Sequence, residues 1–167
     1  MAYLFFALVT LHVLGVVIWI GGSFFVYALL PSPGTEADRS QMELWLRGLK
    51  RFFPWLLLSS LVVFGTGEAL AREWLGGLDG PLYVHIMFAI GALCLLYSFY
   101  IYLFPYRRMK ALLAAGDHEQ ALWRLRFIRG SLGLIGLAGL INVVVAASGP
   151  VWGGSPLELA PYLPFLA

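Results

Sequence analysis

Ten of the eleven Lys and Arg residues fall in or beside two segments of the chain, and long apolar runs separate those segments. Arg39, Arg47, Lys50 and Arg51 lie in the first; Arg107, Arg108, Lys110, Arg124, Arg126 and Arg129 lie in or beside the second. Arg72 stands apart. A charge in hydrocarbon is costly, and cationic loops stay on the cytoplasmic face, so this sorting constrains how a chain can thread a bilayer. It predicts an all-α, membrane-spanning four-helix bundle with N-out/C-out topology and cytoplasmic helical loops.

Composition agrees. The chain is 60% hydrophobic and 12% charged, with mean hydropathy +0.83, outside the range of soluble globular domains. Residues 3–30, 53–70, 82–104 and 128–147 supply four runs near the ~20-residue length that crosses ~30 Å of hydrocarbon. Met1-Ala2-Tyr3 leads directly into the first run, which lacks a charged n-region and is too long for a cleaved signal, so it reads as a retained span. Residues 1–149 form the transmembrane domain, and 150–167 an apolar, Pro-containing tail on the outer side. The basic residues are sorted by side rather than gathered in a patch, so nothing points to nucleic acid. Cys94 is the single cysteine, which excludes a disulfide framework and a thiolate cluster.

The connections carry their own signals. Thr35 and Asp38 have capping-box spacing, and Met42, Trp45 and Leu49 repeat on one face, predicting a helix lying in the interface plane. Gly116 predicts a helix stop, and Asp117 with Gln120 a cap for the next helix. Glycines at 130, 133, 136 and 139 allow close helix approach, and Asn142 is suited to an interhelical hydrogen bond.

Ionisable side chains inside spans are functional candidates. His12 lies in the first span and His85 at the start of the third, both in the outer half. Two histidines on different helices at similar depth suit a metal or haem iron. Below His12, Gly15, Trp19 and Gly22 form a small–aromatic–small stripe that could leave a slot for a macrocycle or simply pack helices. Arg72 could meet haem propionates or pair with Glu68. Copper(I) prefers soft ligands, and Met87 could supply one, although two residues along a helix it points away from His85. Histidines hydrogen-bonded within the bundle are the plain alternative. The sequence contains no Ser/His/Asp set, nucleotide loop or buried carboxylate pair.

Leu11-His12 followed by Trp19-Ile20-Gly21-Gly22, Arg51-Phe52-Phe53-Pro54-Trp55, Leu82-Tyr83-Val84-His85, Pro105-Tyr106-Arg107-Arg108 and Ala115-Gly116-Asp117 together resemble small bacterial CopD-family membrane proteins over residues 3–149. That resemblance implies the bacterial inner membrane and copper uptake or tolerance. The first span is also similar to HemJ-type haem-b membrane proteins, with tryptophan seven residues after histidine. Val9 stands where their pattern has lysine, which speaks against their reaction but not against haem. The expectation is therefore a haem-b redox protein, a membrane oxidoreductase if it is an enzyme, with His12 and His85 as axial ligands. It would relay electrons between a quinone or porphyrin-like molecule and an extracytoplasmic redox partner. Copper bound by His12, His85 and Met87 near the outer face is the alternative, and a cofactor-free assembly subunit the third. Beyond the lipid bilayer itself, a homo-oligomer stays open.

Overall fold

A computed structural model describes residues 2–32, 34 and 38–152, the side chains as far as 149. Helix α1 spans Ala2–Leu29, α2 Arg39–Trp74, α3 Leu82–Ile101, α4 Arg107–Ala114 and α5 His118–Trp152. A short 3-10 turn, Gly77–Asp79, links α2 to α3, and a π turn, Tyr102–Tyr106, joins α3 to α4. No strand occurs among the described residues. Four rods are long and apolar enough to cross a bilayer: α1, α2, α3 with its π turn and α4, and α5. The chain is a multi-pass, all-α membrane protein.

The helices form a ring. Contacts run α1 to α2, α2 to α3, α3 to α5 and α5 back to α1, which leaves α1 and α3 diagonally opposed. In a hydrocarbon solvent hydroxyls must find partners inside the protein. Ser23 donates to the Trp19 carbonyl (2.7 Å), Ser98 to Cys94 (2.8 Å) and Ser59 to Leu56 (3.0 Å). Tyr97 Oη and Ser131 Oγ bond between α3 and α5 at 2.9 Å. Gly133, Gly136 and Gly139 all meet α1, where a Cβ would lie 2.7–3.0 Å from Tyr27, Phe24 and Ile20 respectively. A Cβ at Gly130 would find open space. Those missing side chains set the α1–α5 separation. Arg129 closes the same seam, its Nε donating to the Tyr27 carbonyl (3.1 Å) and its guanidinium 4.2 Å from the ring centroid. A cation among the last carbonyls of α1 complements that helix's negative end.

The predicted interface helix is absent. Residues 39–74 form one helix of 36 residues, about 54 Å long against ~30 Å of hydrocarbon. The rod therefore stands well beyond the bilayer at the end carrying the basic segments. The apolar stripe expected to face lipid is instead covered by protein. Met42 and Leu49 join Phe53, Met109, Leu113, Ala121, Leu125 and Ile128 in a tight core beneath the α4–α5 hairpin. Trp45 is half-buried against it. The helix also begins later than Thr35 predicts. Asp38 is the N-cap, accepting from the Gln41 amide at 2.8 Å, and the Gln41 side chain accepts from the Asp38 amide (3.4 Å). Thr35 itself lies outside the described residues, as does most of the 150–167 tail; α5 continues to Trp152, past the boundary predicted at 149.

The second hairpin follows its local signals. Gly116 adopts φ +82°, ending α4 in the left-handed region that favours glycine. Asp117 accepts from the Gln120 amide (3.1 Å) and side chain (2.6 Å), capping α5.

Candidate functional site

At the end of the bundle opposite the basic segments, the four rods enclose a cavity of about 130 Å³. Each rod brings one residue able to ligate a metal to its lining: His12 from α1, Glu68 from α2, Met87 from α3 and Asn142 from α5. Because α1 and α3 are diagonal, His12 and Met87 approach it from opposite sides of the bundle. Gly91 lines the same space, and a Cβ there would meet nothing within 4 Å.

The tautomer of His12 follows from its neighbours. Thr66 Oγ donates to the Val62 carbonyl at 2.6 Å, which uses its one proton. It can therefore only accept from His12 Nδ1, 3.0 Å away. Nδ1 carries the hydrogen, and Nε2 keeps the lone pair. This is how ligating histidines are held in other proteins, with a partner on one ring nitrogen orienting the other. The close fit of α1 on α2 reinforces it: a Cβ at Gly67 would lie 3.0 Å from His12 Cε1.

Two further polar atoms are left over. Trp19 is 3% exposed, and its Nε1 is buried without a hydrogen-bond partner. Asn142 Nδ2 donates to the Met87 carbonyl (3.2 Å), while Oδ1 is buried and unpartnered. Both residues line the cavity. An unmet donor and acceptor cost about 1–3 kcal/mol each when no partner is supplied. A membrane interior offers no bulk water to remove that cost.

His85 is elsewhere. It is exposed, its Nδ1 faces the Pro81 carbonyl at 3.3 Å and its Nε2 the Leu78 carbonyl at 3.2 Å. It does not line the cavity. The two imidazoles predicted as a pair are not brought together, because α3 turns Met87 rather than His85 towards the bundle interior. A haem ligated by both does not fit this arrangement, and 130 Å³ is small beside the ~300–1,000 Å³ of typical organic-ligand clefts. The stripe below His12 divides similarly. A Cβ at Gly15 would lie 2.8 Å from Val63 and one at Gly22 3.2 Å from Phe52, so both glycines serve α1–α2 contact, whereas Trp19 belongs to the cavity. Arg72 bonds Glu68 at 2.5 Å, its side chain 71% exposed. Glu68 and Asn142 are the lining residues that the sequence pattern did not bring to His12, whereas Met87 is expected beside it if copper is bound. A 3.6-residue period locates faces, but not how four helices rotate about their axes.

Among the described residues no three His, Cys, Asp or Glu side chains gather. A metal here would have to use thioether and amide donors as well. No family model, curated protein or solved structure matches this chain.

Proposed function

We propose that this protein takes copper as its cargo in the outer half of a bacterial inner-membrane bundle, serving copper uptake or tolerance. His12 Nε2 and the Met87 thioether are its principal donors, and Asn142 Oδ1 and the Glu68 carboxylate lie at its sides. One observation carries this reading: each of the four rods contributes one residue able to ligate a metal to a single small cavity. Imidazole and thioether are the ligands that soft Cu(I) selects, and carbonyl or carboxylate oxygens accommodate Cu(II). A cavity of about 130 Å³ takes an ion with a few waters, each ~30 Å³. Glu68 brings a negative charge that reduces the cost of a cation at this depth. Its partner Arg72 is an i,i+4 neighbour, so an entering cation competes with the guanidinium for the carboxylate.

The sorting of Lys and Arg supports a cytoplasmic basic end and extracytoplasmic termini, with the cavity towards the extracytoplasmic side. The haem reading retains His12 and Trp19, would need Met87 in place of His85 opposite, and requires the helices to part.

The test is metal analysis of the detergent-purified chain loaded with Cu(I), alongside its dithionite-reduced minus oxidised spectrum. One copper per chain is expected, without a haem α band, and His12→Ala and Met87→Ala should each abolish stoichiometric loading. A sharp α band with stoichiometric haem would overturn copper in favour of the redox protein. Neither copper nor haem would leave the cofactor-free subunit.

A further inference from the structure

A second surface lies at the other end of the molecule, on the α3–α5 face. There a groove of about 450 Å³ is lined by Arg107, Arg108 and Arg124 together with Phe104 and Leu103. None of the three arginines has a carboxylate partner among the described residues, where the ion pairs are Arg39–Glu43 and Arg72–Glu68. Arg124 instead rests 4.9 Å from the Trp123 ring centroid. Tyr100 lines this groove and also a second one, of about 550 Å³, formed by apolar and aromatic side chains that include Leu93, Leu96 and Ala138. The two grooves thus share Tyr100 as a common wall. One end is cationic and lies where α3 meets α4 through its π turn; the other runs along the transmembrane part of the bundle.

The dimensions match a lipid. Phe104 to Leu93 is eleven residues, about 16 Å at 1.5 Å per residue, close to the ~15 Å of one leaflet's hydrocarbon. Polarity matches too, with cations at the interface and an apolar channel pointing to the midplane. π turns are rare and recur at functional sites, and this one contains Pro105 and immediately precedes Arg107 and Arg108.

We propose that this double groove is a binding site for one anionic phospholipid. Its phosphate is held by Arg107, Arg108 and Arg124, and one acyl chain lies along Leu103, Tyr100, Leu96 and Leu93. Basic residues near a membrane interface attract anionic lipid collectively in any case. What distinguishes a built site is that the headgroup cations and the chain groove share a wall.

Native mass spectrometry of the full chain in detergent tests this, with phosphatidylglycerol and phosphatidylcholine added in equal amounts. Retention of one phosphatidylglycerol in preference to phosphatidylcholine is expected. Combined Arg107→Gln, Arg108→Gln and Arg124→Gln should lower that retention by about tenfold or more. Arg39→Gln with Arg47→Gln, which removes two cations from the first basic segment, should leave it unchanged. Should the triple variant fail to fold, Ala138→Phe reads the acyl groove alone and should also weaken phosphatidylglycerol. Equal retention of the two lipids overturns the proposal. So does equal weakening by both sets of arginine changes, and so does full retention by Ala138→Phe. Displacement of the lipid by millimolar inorganic phosphate would show an anion site without a chain groove, and would overturn it as well.

Discussion

Thr66 decides which nitrogen of His12 can bind anything. With its proton committed to the Val62 carbonyl, it turns the imidazole into an Nε2 donor before a ligand arrives. Thr66→Val removes the side-chain acceptor at Nδ1 and keeps the volume, leaving the Val63 carbonyl as the ring's backbone partner. Partners of this kind are worth about 10–100-fold in metal affinity, so a Cu(I) competition titration should show a loss of that size with helix content unchanged. Thr66→Ser should restore most of it. An unaltered affinity would remove the tautomer from the argument. At this scale the sequence was partly legible: His12, Met87 and Asn142 each stand out as polar or soft groups in apolar runs. Asn142 makes the interhelical bond its position suggested. His85 instead meets the loop carbonyl of Leu78, and nothing in the spacing announces that contact.

Helix α2 is the element whose length the sequence concealed. The sequence predicts an interface helix before a span beginning at residue 53, but one helix runs through both and through Pro54. Periodicity identified Met42, Trp45 and Leu49 as an apolar face without saying whether lipid or protein covers it, because both are apolar. Its start is governed by Asp38, whose carboxyl is held below its ordinary value by the Gln41 amide first and then by the Ser40 hydroxyl. A depressed carboxylate contributes stability that is fully present above its unfolded value and is lost as pH falls through the folded one. The protection of the Gln41 amide, its exchange measured against an unstructured amide at the same pH, should therefore fall on acidification below about pH 4. Asp38→Asn, also a strong N-cap, should flatten that dependence. The signals at Gly116 and Asp117 were legible because turn chemistry is local; the Asp38 cap sits three residues beyond the spacing that Thr35 proposed.

Packing across the described residues is uneven from one end of the bundle to the other. At the basic end Phe53, Met109, Leu125, Ile128 and Leu132 are 0% exposed, whereas the opposite end encloses the cavity with its unmet Trp19 and Asn142 atoms. Phe53→Ala should cost about 3–5 kcal/mol, as large-to-small core changes do, read as a large drop in thermal midpoint in detergent. Gly91→Ala adds a methyl where no atom lies within 4 Å, and should cost nothing while trimming the cavity. Similar midpoints for the two variants would contradict this division. The count of the spans could be read from apolar runs, but this contrast between ends could not, since it depends on how long side chains from separate rods interlock. The π turn at Tyr102–Tyr106 has a consequence for the same asymmetry. Such a turn is a helix holding one residue more than its rise requires. The rod from Leu82 to Ala114 is thus indexed twice, by its membrane neighbours before Tyr102 and by the α4–α5 hairpin after Tyr106. The surplus residue takes up the mismatch in phase, so each half keeps its own register without imposing it on the other.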